Sequence, residues 1–380
     1  MTETGADHRM LRDSARRFVE KSYRFEQRVA RSSTAEGISS AHWRTFAELG
    51  WLALGLPEHL GGYGSATDQV VLAEELGRAM VVEPWLSSVA LCAPLLVAYG
   101  RDDVVVRLSE GSYQVALAAW ELQGRYDAFD VGTTAARDAR SGQWVLDGRK
   151  TLVLGASTAD EFLVLARIDG DRRSLQGLAL FVVPARAEGL RVQTGRTYDG
   201  VPTGSLALTD VRVDSAGLLD GGDRTWPTVE RAIDQATVIC CAQAVGTMQR
   251  AFELTKDYVS LRKQFGRTVV SNQVVRHRLV DMYVDIEQAR AITELAARSL
   301  DAERPERIRL VSSAKAFVSR AGRALGEQSV QLHGAVGMTD EIEVGHCYKR
   351  LAAQANLFGD ESWHLERLAG VELAVLAGGI

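Results

Sequence analysis

Cysteine and proline are scarce in this chain, which contains four cysteines and seven prolines among 380 residues. Four cysteines at irregular spacing are too few for a disulfide framework or a structural zinc site. Buried thiols in a reducing cytoplasm are the expectation instead. Because long stretches lack proline, they are free to form long helices. The cysteines are Cys92, Cys240, Cys241 and Cys347.

Other absences narrow the class of protein further. No run of about 18 apolar residues is present, so we expect no membrane-spanning helix. The net charge of −5 gives no reason to expect nucleic acid or an anionic membrane as a partner. Residues 1–8 lack the basic-then-apolar pattern of a signal peptide. These features, with a hydrophobic content of 46%, are typical of a cytoplasmic globular enzyme.

The periodicity of apolar residues divides the chain into three regions. Residues 1–114 follow helical spacing, interrupted by a loop rich in glycine at 51–65. Residues 115–225 contain short apolar runs separated by aspartyl-glycine turns, a pattern typical of an antiparallel β-sandwich or barrel. Residues 226–380 return to long helical patterns. The sequence therefore predicts an α+β multidomain protein with an N-terminal α domain, a middle β domain and a C-terminal four-helix-type bundle.

Local signals predict some element boundaries. Thr67 or Asp68 is a candidate N-cap for the helix that follows them. A helical pattern further along the chain meets a potential breaker at Pro94. The dipeptide Asp147-Gly148 predicts a turn between two strands.

The most informative segments are two short motifs that each end a long helical pattern. One reads SLRKQFG at residues 260–266, and the other reads QLHGAVG at residues 331–337. Each places long polar side chains beside glycine, so that side chain and backbone can both reach a ligand. The pair predicts a site for a large polar ligand.

With the order helices, sheet, helices, these motifs make the chain resemble the acyl-CoA dehydrogenase family over nearly its whole length. Further matching strings include LPE at 56–58 and WVLDGRK at 144–150. More narrowly, residues 123–126 and 357–360 resemble the small subunits of pimeloyl-CoA dehydrogenase. They are also similar to the small subunits of heterotetrameric enzymes that oxidise steroid side-chain thioesters.

The resemblance implies a flavoenzyme that binds FAD between the sheet domain and the C-terminal bundle, partly across a subunit boundary. Such an enzyme removes the α-proton of an acyl-CoA and passes the β-hydrogen as hydride to the flavin, giving a 2-enoyl-CoA. The implied partners are an acyl-CoA substrate, an electron-transferring flavoprotein, and either a homologous large subunit in a heterotetramer or further copies of this chain. The acyl group stays open among dicarboxylate, steroid and branched-chain thioesters.

The resemblance also assigns residues to the adenosine and pyrophosphate end of FAD. Arg262 is the implied pyrophosphate partner, because a guanidinium offers paired donors to phosphate. Phe265 would pack on the adenine, and Gln273 and Gln331 would donate hydrogen bonds. His333, inside the second motif, is interpreted as structural. The implied cofactor-binding set is Arg262, Phe265, Gln273, Gln331, Leu332, Gly334 and Ala335.

The catalytic base is where the chain departs from the family. The family uses a glutamate, and the two positions where it stands in different members are Gly359 and Ala236 here; neither side chain accepts a proton. Asp360 is a candidate replacement within one residue, since a base must come within hydrogen-bond reach of its proton. The alternative role for Asp360 is the N-cap of the last helix. The catalytic residue is therefore left unassigned.

The sheet region departs as well. The family's flavin loop is reduced to Glu121 within residues 120–126, and Leu152 replaces an aromatic residue. A shared site explains both departures: a partner subunit supplies the base and the ring pocket, and this chain supplies the cross-interface arginine and glutamines. The alternatives are a self-sufficient homo-oligomer that uses Asp360, a non-enzymatic scaffold, and an oxygen-dependent oxidase or monooxygenase.

Overall fold

The computed structural model describes residues 3–32, 34 and 36–378. Helices precede the sheet strands, which begin at Val115 and end at Asp220, and helices resume at Thr225. This order confirms the predicted fold class. The α-helices are α1 (Glu3–Ser22), α2 (Phe25–Ser32), α3 (Ser40–Glu48), α4 (Ala66–Arg78), α5 (Ala93–Ala98), α6 (Asp102–Ser109), α7 (Thr225–Leu261), α8 (Gln273–Arg298), α9 (Arg304–His333), α10 (Glu343–Asn356) and α11 (Glu361–Gly378).

The strands form one large sheet and one small hairpin. The large sheet has the order β6-β7-β3-β2-β4-β5-β8, and β1 pairs with β4. Most neighbours are antiparallel as predicted, but β1 and β2 both run parallel to β4, which the turn signals did not indicate. The strands are β1 (Val115–Ala118), β2 (Thr134–Arg137), β3 (Trp144–Leu154), β4 (Glu161–Arg167), β5 (Leu178–Pro184), β6 (Leu190–Arg196), β7 (Pro202–Val213), β8 (Leu218–Asp220), β9 (Lys263–Gln264) and β10 (Arg267–Thr268).

The turn predicted at Asp147-Gly148 is wrong, because both residues lie inside β3. The pairing of β3 with β7 shifts register between Leu146 and Gly148, which is the mark of a β-bulge. A Cβ atom at Gly148 would lie 2.4 Å from the Thr133 hydroxyl oxygen. Glycine is therefore required here by the close approach of a neighbouring strand and not by a chain reversal.

The N-cap predicted at Thr67 or Asp68 is also wrong, because α4 begins at Ala66 and its N-cap is Ser65. The Asp68 carboxylate accepts hydrogen bonds from the Ser65 backbone N–H at 2.8 Å and from its hydroxyl at 2.6 Å. Asp68 is thus the third-position partner of a capping box. Pro94 lies in the first turn of α5, where a missing N–H costs little, and a π-helix (Trp85–Cys92) precedes it.

The chain divides into two compact units that the linear sequence interleaves. One unit comprises Met1–Val29, Ser65–Val81 and Thr237–Ile380. The other comprises Ala30–Gly64 and Val82–Ala236. The predicted domain limits of 1–114, 115–225 and 226–380 stay predictions.

The helical unit has an apolar core built from α7, α8, α9 and α10, with Met80 from the segment that follows α4. Arg28 of α2 and Arg350 of α10 both donate to the Met80 carbonyl, each at 2.9 Å, just after α4 ends. Both arginines are almost fully buried, so these bonds hold three segments of the chain together.

The sheet unit has its own core, which is formed by buried side chains of the strands and includes the fully buried Phe162 and Phe181. Outside the sheet, the indole N–H of Trp85 donates to the Trp51 carbonyl at 2.9 Å.

All four cysteines are buried, as predicted, and none of them is in a disulfide. Burial raises the pKa of Cys92, Cys241 and Cys347, which keeps these thiols protonated. Across residues 3–32, 34 and 36–378, no helix has the length and apolarity needed to cross a membrane.

Candidate functional site

Three helix ends in the helical unit meet at one place. The ring of Tyr258, near the end of α7, stacks on the ring of His333, the last residue of α9, with centroids 4.4 Å apart. Val259 of α7, Val275 of α8 and Leu332 of α9 pack in the same apolar cluster. The two sequence motifs are about 70 residues apart along the chain, and packing brings them together. The start of α8, which follows the first motif, contributes to the same apolar cluster.

The first motif forms a small hairpin after α7. Arg267 of β10 faces Gln264 of β9, and the turn between them is Phe265-Gly266. Both turn residues have positive φ, 51° and 78°, which is the signature of a tight type I′ turn. A bulky residue rarely adopts this conformation, and Phe265 is also fully exposed. The hairpin thus presents an aromatic ring to the outside of this chain.

The backbone of Arg262 is held firmly while its side chain stays available. Its N–H donates to the Tyr258 carbonyl at 2.8 Å, and its own carbonyl accepts from the Val269 N–H at 2.9 Å. The guanidinium is exposed and has no hydrogen bond or ion pair with any residue that the structure describes. Gln273, the first residue of α8, is exposed as well. Both side chains are therefore placed to bind a ligand or a second protein.

The second motif combines an open glycine with a packed one. Gln331, Gly334 and Ala335 are exposed at the end of α9. Gly334 has a φ of 69°, and a Cβ atom there would meet nothing within 4 Å. A Cβ atom at Gly337 would instead lie 2.8 Å from the Val330 carbonyl oxygen. The backbone around Gly334 is thus open to a ligand, and Gly337 is needed for tight packing.

His333, within this motif, is structural, as interpreted from the sequence. Its ring is buried and its Nδ1 lies 2.8 Å from the Ser329 carbonyl oxygen, to which it donates. Burial lowers the pKa of His333, so the neutral ring is favoured.

These donors fit the polar end of a dinucleotide. A guanidinium matches the two oxygens of a phosphate, and side-chain amides and backbone N–H groups bind ribose, base edges and phosphate. The set that the structure brings to the three helix ends contains each of these groups. The adenosine and pyrophosphate half of FAD is thus compatible with this surface.

The two positions at which the resemblance places the catalytic base, 359 and 236, have no carboxylate and are closely packed. Gly359 has a φ of 117°, and a Cβ atom there would lie 2.5 Å from the Trp363 ring and 2.8 Å from the His364 Nε2. Ala236 is fully buried. Asp360 accepts a hydrogen bond from the Trp363 backbone N–H at 2.9 Å, so it caps α11. Its carboxylate is therefore engaged at the helix end.

Lys315 of α9 is a functional candidate that the sequence interpretation missed. Its side chain is 1% exposed, and its ammonium faces four oxygen acceptors near the end of α10. A signal for it was present, because Lys315 stands in helical register with the apolar residues Ile308, Val311, Val318 and Leu325. A cation at a core position of a helix demands partners, and the sequence alone does not show them.

Glu121, the remnant of the flavin loop, is buried in an ion pair. Its carboxylate lies 2.6 Å from the Lys150 Nζ and accepts further bonds from Thr133, Gly132 and Gln123. Burial by itself raises the pKa of Glu121, but the ammonium and the other donors outweigh burial and lower the pKa overall. This carboxylate is therefore ionised and fully engaged within the sheet unit.

Leu152, which stands in place of the family's aromatic residue, lies at a bulge of β3. It has a φ of 51°, and the pairing with β7 shifts between Lys150 and Val153. Leu122 is strongly exposed, and the Thr151 N–H joins the two segments by donating to the Trp120 carbonyl at 2.9 Å. An aliphatic surface thus replaces an aromatic one.

Comparison with known proteins matches models of all three acyl-CoA dehydrogenase domains: the N-terminal domain over residues 5–108, the middle domain over 116–211 and the C-terminal domain over 223–372. Acryloyl-CoA reductase (NADH) of Anaerotignum propionicum is 28% identical over 358 residues, covering 90% of this chain and 88% of that protein.

Two solved structures show the same fold. A chain of the ChsE4–ChsE5 complex from Mycobacterium tuberculosis is 27% identical, with a TM-score of 0.86 and 98% of each chain covered. A variant of the Tcur3481–Tcur3483 steroid ACAD is 26% identical, with a TM-score of 0.86 and coverage of 98% and 99%. This chain belongs to the acyl-CoA dehydrogenase family of FAD-dependent flavoprotein oxidoreductases.

Proposed function

We propose that this chain is the base-lacking small subunit of a heteromeric acyl-CoA dehydrogenase. The complex converts an acyl-CoA to a 2-enoyl-CoA and delivers electrons to an electron-transferring flavoprotein. The observation that carries the proposal is the lack of room for a side chain at Gly359, combined with the exposed Arg262 guanidinium, which pairs with no residue that the structure describes.

The absence of a base has a structural basis at each position. A glutamate at 359 would overlap the rings of Trp363 and His364, so this turn does not hold a carboxylate in its present conformation. Ala236 offers only a buried methyl group. Asp360 caps α11, and leaving that role would expose an unpaired N–H at the first turn. Abstraction of the α-proton is therefore assigned to a carboxylate of the partner subunit.

The exposed face of α8 supports association with another chain. One face packs into the helical core through Leu279, Met282 and Ile286, and the outer face carries exposed apolar residues among charged and polar ones. A group of exposed apolar residues supports a role in protein interaction. The exposed apolar residues near this face are Leu261, Phe265, Val274, Val280, Tyr283, Val284 and Leu295.

In the proposed complex, FAD supplies the hydride-accepting ring. Arg262 binds the pyrophosphate with paired N–H donors, and Gln273 and Gln331 donate to the adenosine portion. The open backbone at Gly334 lets main-chain groups approach the cofactor, and Phe265 packs on the adenine. Leu332 and Ala335 line the same segment. The flavin ring itself is contacted by the partner, because Glu121 is already engaged with Lys150.

The names of similar proteins agree with a paired assembly. The ChsE4–ChsE5 complex is a complex of two proteins by name. The caffeyl-CoA reductase–Etf complex subunit CarC of Acetobacterium woodii, 25% identical over 352 residues, is a subunit of a complex with an electron-transferring flavoprotein by name. Both support a shared assembly for this chain.

The test is to purify the chain alone and together with an acyl-CoA dehydrogenase-like protein, sought among the products of adjacent genes. We expect the isolated chain to bind little FAD and to show no turnover of acyl-CoA, and the co-purified complex to bind FAD and turn over. Full FAD loading and turnover by the isolated chain would overturn the proposal. If that turnover disappeared in Asp360→Asn with FAD retained, a self-sufficient enzyme would replace it.

Arg262→Gln tests the half-site, by which we mean the FAD-binding residues around Arg262 that this chain contributes to the complex. Because hydrogen bonds to charged groups are the strong ones, we expect the dissociation constant for FAD to rise about 10- to 100-fold. The matched control is Arg191→Gln, an exposed arginine on β6 far from the motifs in sequence. An unchanged FAD affinity in Arg262→Gln would remove the arginine from the cofactor site.

A further inference from the structure

The ammonium of Lys315 is enclosed by oxygen atoms. Its Nζ lies 2.9, 3.1 and 3.0 Å from the carbonyl oxygens of Gln354, Ala355 and Gly359. The Ser319 hydroxyl oxygen is 2.9 Å away. An ammonium has three N–H donors, so at least one of them is shared between two of these four oxygens. The last carbonyls of a helix lack partners inside that helix, and the first two of these carbonyls belong to the end of α10. The ammonium therefore closes α10 and at the same time holds the turn that follows.

The same turn is held from a second direction by α11. His364 lies with its Nε2 at 3.1 Å from the Phe358 carbonyl oxygen, to which it donates, and with its Nδ1 at 3.2 Å from the Ser312 hydroxyl. Burial, followed by the charges of Lys315 and Arg367, lowers the pKa of His364 well below its ordinary value, which keeps the ring neutral. The carbonyls of Phe358 and Gly359 thus point into the helical unit and are both engaged.

A buried ammonium such as that of Lys315 needs oxygen acceptors to replace its lost water. An ammonium loses its hydration when it is buried, and this loss lowers the pKa of Lys315. Carbonyl oxygens at the C-terminal end of a helix carry partial negative charge and replace that hydration. A hydrophobic side chain of similar length would fill the same space but would remove this donor from the Ala355 and Gly359 carbonyls; the Gln354 carbonyl would still accept from the Leu357 N–H at 3.3 Å.

We propose that Lys315 is the positioning residue of the turn between α10 and α11, and that its ammonium sets the conformation in which position 359 has no room for a side chain. The proposal rests on the proposed function for its meaning, because this turn is where the resemblance places the base. The proposal also gives a cause for the missing base, because the Lys315 ammonium holds the backbone of the turn in a conformation that has no room for a side chain at 359. Restoring glutamate at 359 is therefore not enough to restore a base.

Chemical rescue separates the charge from the hydrocarbon stem. Lys315→Ala removes three methylene groups and the amine, which together correspond to propylammonium. The backbone N–H groups of Trp363 and His364 both donate to Asp360 at the end of this turn. We expect hydrogen exchange at these two N–H groups to become about 100-fold faster in this variant. We expect added propylammonium, but not the neutral 1-propanol, to slow it again. The matched control, the exposed Lys256→Ala, is expected to show neither effect.

Lys315→Met provides a second variant if the alanine variant does not fold. It keeps the volume of the stem and removes the charge, so the proposal expects fast exchange at the same turn and a lower Tm. Exchange as slow as in the wild type in Lys315→Met, or equal rescue of Lys315→Ala by 1-propanol and propylammonium, would overturn the role of the ammonium. These measurements use the full chain without flavin, so they stand or fall independently of cofactor binding.

Two activity measurements follow, one on the isolated chain and one on the complex with its partner subunit. Gly359→Glu is expected to give the isolated chain no turnover while Lys315 is present. Acyl-CoA turnover by the isolated Gly359→Glu chain would show that the turn does accept a base and would overturn the proposal. In the complex, the Lys315→Met variant is expected to keep its bound FAD, because the turn lies outside the proposed Arg262 half-site. Loss of FAD from this variant would instead indicate a general structural role.

Discussion

Removing the buried ion pair between Lys150 and Glu121 tests whether the sheet unit depends on a paired charge. Lys150 is 0% exposed, and its Nζ lies 2.6 Å from the Glu121 carboxylate. Lys150→Met leaves the carboxylate with its hydrogen-bond donors but without a counter-charge. Breaking a buried pair in this way costs about 3–5 kcal/mol of the free energy of unfolding, because one charge stays buried and unpaired. We expect Glu121→Gln to cost a similar amount.

The double variant decides between a paired and an independent role. With both charges removed, no unpaired charge is buried, so the cost should fall well below the sum of the single costs, with a coupling energy of about 1–3 kcal/mol. The assay is urea unfolding followed by tryptophan fluorescence and far-UV circular dichroism, with coincident transitions as the check on two-state behaviour. The exposed pair Arg212 and Asp138 is the control and is expected to show much weaker coupling.

The pH dependence of the same pair has a defined sign. The folded state lowers the pKa of Glu121 below its ordinary value of 4.5. Its contribution to stability is therefore present above pH 4.5 and is lost as the pH falls below that value. Glu121→Gln should flatten the acid side of the stability curve. Additive single costs, together with an unchanged acid limb in Glu121→Gln, would refute the reasoning.

Further predictions concern the helical unit, each measured as the free energy of unfolding. Gly246→Ala should cost about 3 kcal/mol or more, because its Cβ would lie 1.8 Å from the Glu74 carbonyl oxygen; Gly370→Ala, with open space around it, should not destabilise. Asp68→Ala should cost about 1 kcal/mol through loss of the capping box; an unchanged value would contradict this. Because the pKa of His364 is lowered in the folded state, stability should fall by up to about 1.4 kcal/mol per pH unit below 6.5, and His364→Gln should reduce that slope.

The sequence by itself determined the fold class and the family. Residues 226–380 are poor in proline and follow helical spacing, which predicts long helices there, and the structure has α7, α8 and α9 in this region. Helical periodicity records which face of each helix is buried, so a single chain suffices to see it. The motif at 260–266 is likewise recognisable from the sequence alone, because its residue types carry the resemblance.

Only the tertiary structure decided which residues meet. Tyr258 and His333 are 75 residues apart along the chain, and their stacking joins the two motifs. The carbonyls that surround Lys315 are backbone groups, which every residue has, so no pattern of side chains announces them. Gly148 was misinterpreted for the same reason: aspartyl-glycine favours a turn locally, but the close approach of Thr133 is a long-range contact. Local conformational preferences depend on neighbouring residues in the sequence, whereas close contacts between distant segments form only when the chain folds.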